Sequence, residues 1–199
     1  MAVTPIAPDD LESTPGAAPA RRHGWVTRGV SAAVLLAIAV ALVLLNHPAR
    51  QLEAELAAWA AAHTFADGAA TGFSSGSPMF AFGVDGEWRA LRITTECAIS
   101  FVIAPFLVMF AAFTLVQRFR LLRIAIAVSV SVILFVLLNQ IRFLVIAIAF
   151  ADGGHKGYSI AHSLVGSIIM FVGIAAIVVM SLFIVAGRRR RRVVRQRRH

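Results

Sequence analysis

Four long apolar runs divide the chain, with polar segments between them. The first covers about residues 29–46 (GVSAAVLLAIAVALVLLN) and the second about 97–116 (CAISFVIAPFLVMFAAFTLV). The third starts near Ile124 and stays apolar to Phe150, interrupted by Asn139, Gln140 and Arg142, and the fourth covers about 162–186. A helix needs about 20 mostly apolar residues to cross a hydrocarbon core of about 30 Å, and each run meets that length. The pattern predicts an all-α integral membrane protein, a bundle of about four transmembrane helices.

The segment between the first two runs reads differently. Residues 50–66 (RQLEAELAAWAAAHTFA) are helix formers. Leu52, Leu56, Trp59 and His63 share one face at helical spacing, with Glu53 and Glu55 elsewhere, which predicts a helix lying on the membrane or over the bundle. A Gly/Ser-rich loop is expected over 68–78 (GAATGFSSGSP). Asp85-Gly86 then separates two β-prone runs, a hairpin signal. That hairpin leads directly into Cys97. It is either a connecting element or an edge to which an extended peptide adds as a strand.

Composition and charge orient these elements. With 59% hydrophobic and 15% charged residues in 199, the chain is too apolar for an ordinary soluble domain. The net charge of +9 is uneven, with eight arginines between Arg188 and Arg198. Arg21, Arg22 and Arg28 flank the first run, Arg118, Arg120 and Arg123 separate the second from the third, and the arginine tail follows the fourth. With four spans all three clusters fall on one side, which the positive-inside rule makes the cytoplasm. Residues 47–96 and 151–161 then lie outside, in a multi-pass plasma-membrane protein with both termini inside. The arginine tail suits anionic headgroups. It has no interleaved aromatics for base stacking, so nucleic acid is not an expected partner. No A-x-A-like site follows the first run at Asn46-His47-Pro48, which favours an uncleaved anchor over a signal peptide. The Pro-, Ala- and acid-rich start reads as a disordered cytoplasmic tail. The chain thus divides into a tail (1–24), a membrane domain (25–186, with the outer segment 47–96) and a basic tail (187–199).

The unusual residues can then be placed. Cys97, the single cysteine, opens the second span. With Thr94 or Thr95 as N-cap it falls in the first helical turn, where the helix dipole favours a thiolate; the alternative is a small buried hydrophobe. Glu96 beside it would raise the thiol pKa if it pointed inward, so it is expected to face the outer loop or Arg92. Arg142 is costly inside a membrane and must face a polar interior or snorkel to the headgroups. At about 1.5 Å per residue from Ile124 it reaches the outer boundary, level with Cys97. Asn139, three residues earlier, shares its face and could orient the guanidinium. His162 opens the fourth span. With Ser159 as cap it lies in a first turn that keeps imidazole neutral and able to act as a base; otherwise it is an interfacial histidine, and His155 and His63 remain open as partners. A nucleophile, a base and a fixed cation from three helices thus share one side. Together they match what acyl transfer through a thiol requires. No metal-ligand spacing, phosphate loop or nucleotide fingerprint is present, so no cofactor is expected.

At "ECAIS" with Cys97, "NQIRFLVIAI" with Arg142 and "AHSLVG" with His162 followed by Gly166, the sequence resembles the exosortase/archaeosortase family of membrane enzymes over about residues 94–170. It departs from that family's usual pattern in having four spans rather than about eight, and in Ala98-Ile99 after the cysteine. The resemblance implies a sorting cysteine transpeptidase or protease with Cys97, Arg142 and His162 as its catalytic set. Its substrates would be secreted proteins ending in a short motif, a hydrophobic helix and a basic tail. Cys97 would form a thioester, resolved by an acceptor amine or by water. Two other classes stay open: a non-enzymatic assembly or scaffold protein, and a small transporter with Arg142 as an anion site.

Overall fold

A computed structural model describes residues 19–187. Beyond Gly187 the expected basic tail lies outside them, as does most of the expected N-terminal tail. From Pro19 that tail is already helical, so the helix starts earlier than the division at 24/25.

The described chain is mostly helical. Helix α1 (Pro19–Leu44) carries the first apolar run and breaks at Leu45 into α2 (Asn46–Thr64). After a small sheet come α3 (Ser100–Leu115), α4 (Leu121–Ile160) and α5 (Gly166–Ala186). Two helical stretches, Gly24–Leu44 and Leu121–Ala186, are long and apolar enough to cross a membrane, and Ser100–Leu115 is a shorter apolar helix. Helix α3 packs on α1 and α4, and α5 packs on α4. Arg28 of α1 closes the C-terminal end of α3: its guanidinium donates to the carbonyls of Thr114 (2.9 Å), Val116 (2.9 Å) and Phe119 (2.8 Å). Of these, the Thr114 carbonyl is in the last turn of α3, where a carbonyl has no partner inside the helix.

The all-α expectation is corrected by a three-stranded antiparallel sheet, ordered β1 (Gly68–Ser74), β2 (Ser77–Val84), β3 (Glu87–Arg92). The Asp85-Gly86 hairpin forms: both residues have positive φ (52° and 79°) between paired Val84 and Glu87, as a two-residue type I′ turn requires. The stretch expected as a Gly/Ser loop is instead β1 and a second tight turn at Ser75-Gly76, with φ of 49° and 74°. Glycine depresses strand propensity. Here it has a packing use, because the Trp88 indole lies within 3.4 Å of where a Cβ on Gly68 or Gly83 would stand.

Helix α2 packs on the rest of the chain through the side away from the expected apolar stripe. Its buried face is Arg50, Glu53, Ala54, Ala57, Ala58 and Ala61, while Leu52, Leu56 and Trp59 are exposed. A stripe of alanines lets the helix lie close on Phe80 and Phe82 of β2. Bulky side chains on that face would hold it off.

The run expected to lie outside, 151–161, is helical. Residue Gly154 (φ 56°, ψ −144°) reverses the chain within what is otherwise continuous helix, a conformation open in practice to glycine alone. The two arms then run antiparallel. Ser131 meets Ser181 (Oγ to Oγ 2.8 Å), Leu138 faces Gly173, Arg142 faces Gly166, and a Cβ on Gly157 would collide with the Ala149 carbonyl. The first arm rises about 50 Å from Leu121 to the reversal at about 1.5 Å per residue. That exceeds a hydrocarbon core of about 30 Å. Its far end is buried with the outer segment: Phe143, Ile146 and Ala147 join Phe80, Phe82, Leu91, Ile93 and the alanines of α2 in one core cluster.

Candidate functional site

The strand β3 delivers the chain to Cys97 through Ile93, whose N–H donates to the Pro78 carbonyl (2.8 Å). A 3₁₀ turn, Thr95–Cys97, follows, and Ala98 is extended (φ −73°, ψ 126°). Cys97 is therefore not in the first turn of α3, which begins at Ser100. The expected help from that helix dipole falls away, since the effect is confined to the first turn. The thiol is buried, and the Thr94 hydroxyl lies 3.7 Å from its Sγ.

Two adjoining cavities share Cys97 in their walls. One, about 280 Å³, is lined by Glu96, Cys97, Asn139, Arg142 and Ser167, with Met170 and Ile174 among its apolar residues. The other, about 70 Å³, is lined by Arg92, Thr94, Cys97, Tyr158 and His162 over an apolar floor including Phe143 and Ile146. Cys97 thus shares the wall of one cavity with Arg142 and the wall of the other with His162. The Arg142 Nε is buried without a partner. The charges of Arg142 and Glu96 both act on the His162 ring.

Two supporting expectations are corrected. Ser159 does not cap a helix before His162. The reversal at Gly154 puts the free helix N-terminus earlier, and His162 sits in a five-residue π turn, Ala161–Val165, within continuous helix. The Ser159 carbonyl accepts from the Ser163 hydroxyl (2.6 Å). Such π turns inside α-helices are frequent at functional sites. The His162 ring stacks on Tyr158 (5.3 Å, 17°), and Tyr158 stacks on His155 (6.1 Å). Asn139 does not orient Arg142: its Oδ1, the atom that could accept from the guanidinium, is buried without a partner. Its Nδ2 donates to Glu53 Oε2 (3.1 Å) and to the Cys97 carbonyl (3.4 Å). Glu96 is exposed, and the Thr94 hydroxyl bonded to its carboxylate, its own backbone N–H and nearby Arg92 hold it below the usual carboxylate range. His63 is exposed on α2, bonded to the Trp59 carbonyl (2.7 Å).

The residue that sequence reading missed is Glu53. It is 4% exposed. Its Oε1 accepts the Ile99 N–H (3.0 Å) and its Oε2 accepts Asn139. Burial pushes its carboxyl up to about 7, against the Ile99 hydrogen bond, the Arg50 charge, the Asn139 hydrogen bond and the Arg142 charge, which all favour the anion. Arg50, three residues before it, donates to the Ile93 carbonyl (3.3 Å). The available signal was the alanine stripe of α2, on whose face Arg50 and Glu53 lie.

A thiol flanked by a cation and an imidazole can attack a carbonyl, with Arg142 near the oxygen that takes up charge. Comparison of the chain with protein-family models, with curated proteins and with solved structures finds no match.

Proposed function

We propose that the chain is a membrane cysteine transpeptidase or peptidase of the exosortase kind. It crosses the plasma membrane four times with both termini in the cytoplasm, and its site opens on the extracytoplasmic face. The observation that carries this reading is the single cysteine placed in the shared wall of two cavities, one holding Arg142 and the other His162. Substrates are secreted proteins whose C-terminus carries a short motif, an apolar helix and a basic tail.

In the reaction His162 takes the Cys97 proton and Sγ attacks the scissile carbonyl carbon. Arg142 stabilises the oxyanion. The C–N bond breaks, His162 gives its proton to the leaving amine, and a thioester remains. An acceptor amine attacks the thioester, passes a proton back through His162 to the departing sulfur, and leaves with the acyl group. Water in its place gives hydrolysis.

The test is processing of a co-expressed secreted protein from the same genome that ends in an apolar helix and a basic tail. Cys97→Ala is expected to abolish processing while the protein still inserts. His162→Ala should leave a trace, because general acid–base catalysis contributes about 10²–10⁴-fold. Near-normal turnover in Cys97→Ala rejects the enzyme. Normal turnover in His162→Ala with loss in His155→Ala keeps the enzyme and moves the base along the Tyr158 stack.

A further inference from the structure

The loop that carries Cys97 makes few bonds of its own to hold its shape. Within it the Cys97 N–H reaches back to the Thr94 carbonyl (3.1 Å) and the Ala98 N–H to the Thr95 carbonyl (3.2 Å). Side chains from α2 and α4 do the rest. Arg50 holds the Ile93 carbonyl before the cysteine, Asn139 holds the Cys97 carbonyl, and Glu53 holds the Ile99 N–H after it. Glu53 and Asn139 are also bonded to each other, and both are almost fully buried.

We infer that Glu53 is a positioning residue: its two carboxylate oxygens, one on the Ile99 N–H and one through Asn139 on the Cys97 carbonyl, fix the sulfur between Arg142 and His162. The consequence for turnover rests on the transpeptidase reading; the effect on the sulfur does not. A carboxylate is an expensive device for this place. Burying an ion costs several kcal/mol before its partners offset the loss, and a well-packed apolar residue would stabilise as much. What an apolar residue lacks is acceptors on two sides.

The arrangement depends on charge. As an anion Glu53 accepts from both donors. As a neutral acid it carries a proton on one oxygen, and a proton facing Asn139 Nδ2 would set donor against donor. The Asn139 amide then turns, so that its Oδ1, now buried without a partner, accepts the Glu53 proton, and the bond to the Cys97 carbonyl is given up. The charged groups facing Glu53 are Arg50 on its own helix and Arg142 on α4.

The experiment follows Cys97 with a membrane-impermeant maleimide on the full chain in intact cells, beside the processing assay. With one cysteine in the chain, labelling reports a single site. Cys97 is 7% exposed, so its labelling rate reads how firmly the loop is held. Glu53→Ala removes hydrogen bonds to a charged group and should raise the labelling rate about tenfold while lowering processing by a similar factor. Glu53→Gln keeps an acceptor for Ile99 and, with Asn139 turned, a bond to it. It should stay close to the wild-type labelling rate at about pH 6, where much of Glu53 is neutral. The ratio of wild-type to Glu53→Gln rates cancels the thiol's own ionisation. It should fall several-fold as pH rises to about 8, because only wild type gains the two-sided clamp. A merely structural Glu53 would leave that ratio flat. Unchanged labelling in Glu53→Ala, or a flat ratio in Glu53→Gln, overturns the inference even if Cys97→Ala abolishes processing. Conversely, the expected labelling changes in a protein that processes no substrate keep the positioning role and remove the enzyme.

Discussion

A carboxyl taken out of water holds its proton more tightly, and Glu53 does so near neutrality. Its ordinary value is 4.5 and its folded value about 7. Between those two values the folded chain binds more protons than the unfolded one, so stability is full at low pH and declines as pH rises through the window. At about 1.4 kcal/mol per pH unit, the loss is up to about 3 kcal/mol. Thermal unfolding of the detergent-solubilised protein across that range should show the decline, and Glu53→Gln should flatten it; a wild-type profile that rises instead would contradict the burial argument. Arg142 presents a different residue problem. Arg142→Lys keeps the charge and loses the planar fork, so processing should fall at least about tenfold with insertion unchanged. His63→Ala should process normally, since the ring lies on the exposed face of α2. Cys97, Arg142 and His162 were legible in the sequence because each is anomalous where it stands: a lone thiol, a charge in an apolar run, an imidazole at a span's start. Glu53 was not, since an acid in a soluble-looking helix is ordinary until the helix is seen to turn that side inward.

At the level of elements, helix α2 packs through one face and leaves its larger apolar face free. Leu52, Leu56 and Trp59 gave the larger apolar face, yet the face that packs is the alanine one. Close approach to Phe80 and Phe82 was worth more than side-chain bulk. Ala57 and Ala61 are fully buried, so Ala57→Leu or Ala61→Leu overpacks the interface and should lower stability by about 1–3 kcal/mol. Trp59→Ala should change it little in detergent. Thermal melts of the variants compare the two faces directly. The hairpin at Asp85-Gly86 was readable because a type I′ turn needs particular residues; β1 was not, because Thr71 is its one β-branched residue among glycines and alanines. The start of the fourth helix was misplaced for the same kind of reason. Polar residues and a pair of glycines look like a loop, and nothing local says that one of them reverses a helix while the rest continue it. Gly154→Ala forces a side chain into a backbone region that costs about 1–3 kcal/mol and should lower the melting temperature accordingly.

For the whole molecule the charge pattern along the chain makes the broadest claim. Reporter fusions after residues 60, 120, 155 and 199 should read outside, inside, outside and inside. A cytoplasmic signal at residue 60 would separate α2 from the periphery on which Glu53, Cys97 and His162 are proposed to act. The reversal at Gly154 bears on how such a chain reaches its membrane. Two apolar arms joined without a loop are poorly suited to sequential release from the insertion machinery. In the proposed topology they leave it as a pair, already facing each other. Arg142 then meets the membrane boundary with Gly166 against its guanidinium instead of alone, and the penalty, at that depth below the about 2.5–3.5 kcal/mol of a helix centre, falls on a hairpin that shields it. Biogenesis, more than catalysis, would then explain why the arms turn so tightly.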